Sequence, residues 1–358
     1  MKYLNALNKI TNVGPSRFKI LMSYFDNGEK IWKASQKELM KSGLDEKTIY
    51  NIISERPKIN PNQELDILKK NSVKILSIND PNYPELLKEI HNAPYLLYVK
   101  GSFDFNKNPM LAIVGSRKLT SYGKQVAYSL SRDLTKSGIT IVSGMALGID
   151  TIAHRGALES EGKTIAVLGS SLDDINIGPQ SNYNLSRQII NNGALISDYP
   201  IPTSANPGTF PSRNRIMAGL TLGTIVIEAA EKSGTLITAN LALEFNREVF
   251  AVPGSIFSPV SMGANNLIRS GAKIVTGVND ILEELNLEKK ATEKSAKRVI
   301  PDSAEEEKIV KILSGEPIHI DRIIKLAKLK TSVASSTLVV LEMKGLIKDI
   351  GGQNYILI

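Results

Sequence analysis

The stretch LAIVGSRKLTSYG, residues 111–123, decides the fold. Four apolar residues run without a polar break into Gly115, and Ser116, Arg117 and Lys118 follow. A short continuous apolar run that ends at a glycine reads as a strand buried on both faces. Five more such runs follow: ITIVSG (139–144), TIAVLG (164–169), ALIS (194–197), TIVIEA (224–229) and EVFAVPG (248–254). Helical patterns of varied length lie between them. Buried strands alternating with helices predict an α/β fold with a doubly wound, mainly parallel sheet of extended Rossmann type. Almost every run ends in Gly or Ser. Ligands of such sheets sit at the carboxyl ends of the strands, so these ends are where chemistry is sought.

Outward from this core, residues 62–285 form the Rossmann-like domain, which opens with VKILSI and YLLYVKG as two further strands. Residues 1–58 read as short helices in two helix–turn–helix units, broken at Asn12-Val13-Gly14-Pro15 and at Gly43. They are similar to SAM-like or helix-hairpin-helix modules. Each hairpin has one glycine where the DNA-holding version has two, so a purely structural helical domain stands beside a DNA contact as a reading. Pro57 and Pro61 mark a linker. Residues 286–300, NLEKKATEKSAKRVI, are polar and charged and read as a second linker. Residues 301–358 give three helical segments and a hairpin around Gly351-Gly352, the plan of a winged helix.

The chain has no cysteine, so disulfides and thiolate chemistry are out, and three scattered histidines make a metal site unpromising. No apolar run reaches membrane-spanning length and no signal pattern opens the chain, so a cytoplasmic protein is expected. The net charge of +8 is unevenly spread. Residues 1–60 hold 11 basic and 6 acidic residues, a net of +5, whereas residues 61–285 hold 20 of each. The central domain therefore binds a polyanion only through a local cluster. One is visible: between Ile175 and Gly223 the only acid is Asp198, against Arg187, Arg213 and Arg215.

Four segments carry candidate chemistry. In GSRK, Gly115 allows a tight turn, Ser116 and its amides suit an anion, and Arg117 and Lys118 add charge; no Walker A or GxGxxG pattern occurs. Ser143-Gly144, ending the second run, is a possible anion nest. Asp150 and His154 then stand one helical turn apart, either an acid/base pair or an i,i+4 hydrogen bond bracing the helix. In TFPSRNRIMAGL (209–220), Pro211-Ser212 reads as the turn that opens a helix, with Arg213 and Arg215 flanking Asn214 at its mouth to attract phosphate. Ser233-Gly234-Thr235 opens another helix. Donors converge here, and no nucleophile or catalytic group accompanies them.

These motifs together (IVGSRKLTSYG, VSGMALGIDTIAHRGAL, FPSRNRIMAGL, VIEAAEKSGTLITANLA, VFAVPGS and GANNLIRSGA) closely resemble the DNA-processing protein family, DprA or Smf, from about residue 75 to 285. The SAM-like and winged-helix flanks agree with it. The resemblance implies a homodimer that binds and protects single-stranded DNA and loads the RecA recombinase in DNA recombination during natural transformation (competence), without enzymatic activity, cofactor or metal. It maps the DNA site onto Gly115, Ser116, Arg117, Lys118, Ser143, Gly144, Arg213, Asn214 and Arg215; Ser233, Gly234 and Thr235 complete the set. Two departures remove positive charge: Leu147 stands where the family usually has arginine, and IGPQSN with Gln180 replaces a YPxxN segment. The alternative is a related Rossmann group, the phosphoribohydrolases. Their PGGxGTxxE signature is not matched by EKSGTLITA, which lacks the paired glycines and the glutamate. A third reading is an interaction scaffold with a vestigial pocket. The winged helix, with Ser332, Ser335 and Ser336 but no cation in the first two turns of its second long helix, suits a protein partner as well as DNA.

Overall fold

The computed structural model describes residues 1–287, 303–313, 317–344 and 346–357. It separates into two compact units, Met1–Ala291 and Thr292–Ile358. Most of the segment read as a linker, residues 288–300, lies outside the described residues.

The first unit begins with six helices: α1 (Lys2–Asn8), α2 (Pro15–Tyr24), α3 (Gly28–Lys33), α4 (Gln36–Lys41), α5 (Glu46–Glu55) and α6 (Pro61–Lys70). Asn12 and Gly43 take positive φ at the two breaks seen in the sequence. Pro57 falls in a 3-10 turn and Pro61 at the first position of α6, where a missing N–H costs nothing. Next come β1 (Val73–Ser77), α7 (Glu85–Glu89), β2 (Leu96–Gly101), β3 (Met110–Val114), α8 (Ser121–Lys136) and β4 (Thr140–Ser143). After them follow α9 (Ile149–Glu159), β5 (Thr164–Val167), α10 (Tyr183–Asn192), β6 (Ala194–Ser197), α11 (Thr209–Leu220) and β7 (Gly223–Val226). The unit closes with α12 (Thr235–Glu244), β8 (Glu248–Ala251), α13 (Met262–Arg269), β9 (Lys273–Ile274) and α14 (Val278–Glu284).

The nine strands form one sheet in the order β1-β2-β6-β5-β4-β3-β7-β8-β9. From β6 to β9 all pairs are parallel; β1 and β2 are antiparallel additions at one edge. The order reverses between β3 and β7, which makes the crevice at their carboxyl ends the topological switch point. All six apolar runs are strands, and both faces are covered. Val114, Val142 and Val226 pack under Ile216, Met217 and Leu220 of α11. Leu111, Ile113 and Ile225 pack against Leu130 and Leu134 of α8 and Ala153 of α9. The strand β9 was not evident in the sequence, being two exposed residues long.

The N-terminal helices share their core with the sheet edge. Phe18 of α2 stacks on Tyr95 at 4.9 Å, and Tyr98 of β2 donates a hydrogen bond to Asn5 of α1 at 2.7 Å. The second unit contains α15 (Ala304–Ile312), β10 (Ile318–His319), α16 (Ile320–Ala327), α17 (Thr331–Met343), β11 (Ile347–Asp349) and β12 (Asn354–Leu357). Three helices around Ile309, Ile323, Leu338 and Leu341, with an antiparallel sheet ordered β10-β12-β11, make the winged helix.

Candidate nucleic-acid interface

The loop after β3 leaves the sheet at the switch point. Its shape consumes most of the polar groups of Ser116. The Ser116 amide donates to the Glu228 carbonyl at 2.8 Å, and its hydroxyl donates to the Lys118 carbonyl at 2.8 Å. The Ser116 carbonyl accepts from the Ile149 amide at the start of α9. Gly148, at φ +89°, lies so close to this loop that a Cβ there would collide with the Ser116 carbonyl oxygen. Buried Glu228 completes the anchor: its carboxylate accepts from the Thr120 hydroxyl and amide, which caps α8. Thus held, the loop offers the crevice the side chains of Arg117 and Lys118, both exposed. Arg117 lies over the Phe210 ring at 5.3 Å from its centroid, and neither cation forms a salt bridge among the described residues.

Two chambers open at this crevice and share Arg117, Ala146, Phe210 and Arg213 as a partition. The larger, about 460 Å³, is lined by Gly115 to Lys118, by Asn214 and by Ser233, Gly234 and Thr235 at the start of α12. The first turn of that helix is closed on itself: the Thr235 amide donates to the Ser233 hydroxyl at 3.2 Å, and the Leu236 and Ile237 amides donate to the carbonyls of Ser233 and Gly234. The smaller, about 240 Å³, is more apolar, with Leu147, Leu168, Pro179 and Phe210 as walls. Leu147 is half exposed, so the departure from the family's usual arginine puts apolar surface on the rim. Gln180 is exposed and lines neither chamber.

The structure corrects several of the sequence expectations. The helix of the TFPSRNR segment begins at Thr209, not after Pro211-Ser212, since proline is tolerated in a first turn. Arg213 and Arg215 therefore sit within the helix and are 5% and 9% exposed. Arg213 is shared between wall and scaffold. Its Nη1 donates to the carbonyls of Gly144 and Val167 and its Nε to Asn214, while Nη2 makes none of these bonds. Arg215 is not in the crevice at all: it pairs with Asp198 and donates to the Asn92 carbonyl at 2.6 Å. Ser143 is fully buried and donates to the Ile113 carbonyl at 2.7 Å, so it offers nothing to an anion. The nest at Gly144 exists but is already filled. The amides of Gly144 and Ala146 donate to the Asp150 carboxylate, which leaves Gly144 as a chamber wall only. Arg187 is exposed and 3.9 Å from Asp174, away from both chambers.

Asp150 and His154 do not bond to each other. Thr164 donates its hydroxyl to the Ile141 carbonyl, so it accepts from His154 Nδ1 at 2.7 Å and His154 Nε2 is left without a partner. Burial, helped by the nearby Arg213 charge, pushes the imidazole down to about 3. The histidine is thus neutral when folded and protonates first in the unfolded chain. Its stability contribution is complete above the unfolded value near 6.5 and is lost as the pH falls toward 3. Between pH 6 and 4 the wild type should lose about 1.4 kcal/mol per pH unit more than His154→Asn in urea unfolding. Equal slopes in the two proteins would overturn this assignment.

The family model described as DNA recombination-mediator protein A matches residues 74–286, and that of the DprA winged helix domain matches residues 293–353. Protein Smf of Synechocystis is 35% identical over 99% of this chain and 98% of its own. The X-ray structure of DNA processing protein A from Streptococcus pneumoniae, 35% identical, covers 79% of this chain and 98% of its own at a TM-score of 0.69. A structure of Helicobacter pylori DNA processing protein A, concerned with its unique single-stranded DNA binding mode, is 32% identical and covers 60% of this chain and 95% of its own at a TM-score of 0.54. The chain, with its two-chambered crevice at the sheet's switch point, belongs to the DprA/Smf family of DNA-processing proteins.

Proposed function

We propose that the protein binds single-stranded DNA in the crevice between β3 and β7, protects it, and hands it to a RecA-type recombinase during the uptake and recombination of incoming DNA. The observation that carries this reading is the pair Arg117 and Lys118, exposed and without a salt bridge among the described residues, over a cleft whose walls include Gly115, Ser116, Phe210, Ser233, Gly234 and Thr235. Backbone phosphates suit such a surface, and Phe210 beside Arg117 offers a ring face to a base. The kinship with the Helicobacter pylori protein supports the same ligand.

The phosphoribohydrolase reading finds little support in the same groups. Glu228 is held by Thr120 beneath the loop, Asp150 is engaged by two amides, and Glu231 lies exposed outside both chambers. A binder without turnover accords with this. The test is fluorescence anisotropy with labelled oligonucleotides, run beside chromatography of nucleoside monophosphates. Saturable single-strand binding without base release is the expected result; turnover abolished by a crevice substitution would move the protein to the hydrolases.

Two further expectations attend this reading. The winged helix carries no cation in the first two turns of α17, and residues 301–358 hold 8 basic and 8 acidic residues. Deleting them should leave single-strand affinity within about tenfold, roughly 1.4 kcal/mol; a larger loss would make the winged helix a principal DNA contact. Extended single strands favour multivalent binders, so light scattering should report a dimer of about twice 39.1 kDa. A monomer at micromolar concentration would remove the dimer from this proposal.

A further inference from the structure

The N-terminal helices hold a second opening, about 580 Å³, that belongs to neither chamber. Tyr3 of α1 and Trp32 of α3 wall it, their ring centroids 6.4 Å apart and tilted by 38°. Lys2, Lys33 and Arg56 line it, and no acidic residue does. Lys33 is neutralised by Glu29 at 2.6 Å, and the Tyr3 hydroxyl also points to that carboxylate. Among the described residues the other two cations hydrogen-bond only to neutral groups, although the Glu29 carboxylate lies within electrostatic reach of Lys2. Lys2 Nζ donates to the Asn62 side chain at 2.9 Å and lies over the Tyr3 ring at 5.0 Å. Arg56 Nη1 donates to the carbonyls of Trp32 and Ala34 at 2.6 and 2.8 Å, which fixes the guanidinium at the end of α3 with no carboxylate paired to it among the described residues. The surrounding residues 1–60 carry the surplus of +5 that the central domain lacks.

From this juxtaposition we infer that the Tyr3–Trp32 opening is a second binding site for single-stranded DNA, with the phosphate held by Lys2 and Arg56 and the base laid against Trp32. Ring walls beside unpaired cations are what sequence-tolerant single-strand binders use. An acidic peptide would find the cations but would leave the two rings without a planar partner. The inference rests on the proposed function for the identity of the ligand and adds a contact for it at a distinct place in the fold.

Trp32 is the only tryptophan in the chain, so its emission reports on this site alone. The full-length protein is titrated with an unlabelled thirty-residue oligothymidylate while tryptophan emission is followed, and with the labelled strand while anisotropy is followed. The wild type, Lys2→Glu and Arg117→Glu are compared. The expected result is saturable quenching of Trp32. Lys2→Glu should shift it to roughly tenfold higher DNA concentration and lower its salt slope by about 0.7 or more. Silent emission at DNA concentrations where anisotropy saturates overturns the inference, as does quenching indifferent to Lys2→Glu. Quenching by polyglutamate at the same concentration as DNA also overturns it, in favour of an acidic peptide. The two readings fail separately. If Arg117→Glu leaves anisotropy unchanged, the crevice proposal falls while Trp32 still decides this site. If it abolishes anisotropy and Trp32 is silent throughout, the crevice stands and this site falls.

Discussion

Replacing Arg215 by alanine should lower the unfolding free energy by about 3–5 kcal/mol, because it leaves the Asp198 carboxylate buried without its ion-pair partner. The side chains of the pair are 11% and 14% exposed, so solvent screens them little. Asp198 has a second oxygen, Oδ1, with no partner, and burial already pushes its carboxyl above the ordinary range against the pull of Arg215. Three segments meet here. Arg215 comes from α11, Asp198 from the loop after β6, and the Asn92 carbonyl from the segment before β2. Asn8 of α1 donates to the Asp198 carbonyl at 3.2 Å, which ties the N-terminal helices into the same junction. In thermal melts the loss should appear as roughly 6 °C or more. Asp198→Asn in the same background should recover part of it, since the orphaned charge and not the lost contact carries most of the cost. Single-strand affinity of the folded fraction should stay close to wild type, as no part of Arg215 lines either chamber. A variant of Arg215 that melts normally but binds poorly would return this arginine to the crevice.

That arginine marks where reading the sequence stops being enough. The strands of the core were legible because a run such as LAIVG is apolar at every position, and only a doubly covered strand uses such a run. The edge strand β9 was not, because Lys273 and Ile274 are exposed and follow no period. The crevice itself was legible, since Gly115, Gly144 and Ser233-Gly234-Thr235 fall at strand ends that topology brings together. The tasks of the polar groups there were not. Arg213 and Arg215 are two residues apart on one helix, and the sequence gives both the same charge. Nothing local shows that one meets the Asp198 carboxylate and the other meets two carbonyls, because those partners lie 17, 69 and 46 residues away along the chain, on other elements. The anion nest expected at Ser143-Gly144 is made instead by the amides of Gly144 and Ala146. Its occupant, Asp150, lies six residues further along and looked like an acid with a histidine neighbour. In both cases charge on the chain is spent on building the site, and the residue left over for a ligand is found by subtraction.

What subtraction leaves is Arg117, and Arg117→Glu should weaken single-strand binding by about 10- to 100-fold. The side chain is exposed, makes no salt bridge among the described residues, and lies over the ring of Phe210, itself a wall of both chambers. A glutamate there removes one phosphate contact and sets a like charge against the backbone. The salt slope of affinity should fall by roughly 0.7 for the lost contact and further for the repulsion. Oligothymidylate and mixed sequences should lose affinity alike, because phosphate carries no sequence information. Arg117→Lys should keep most of the salt slope yet bind more weakly than wild type, since an ammonium does not stack on Phe210 as a guanidinium does. The melting behaviour separates this result from damage to the fold. The loop is fixed through the backbone of Ser116 and the carboxylate of Glu228, neither of which involves the Arg117 side chain, so unfolding free energy should move by no more than about 0.5 kcal/mol. Arg215→Ala, unstable but competent, and Arg117→Glu, stable but deficient, are thus opposite outcomes from two arginines that the sequence could not tell apart. Unchanged affinity and salt slope in Arg117→Glu would remove single-stranded DNA from this crevice.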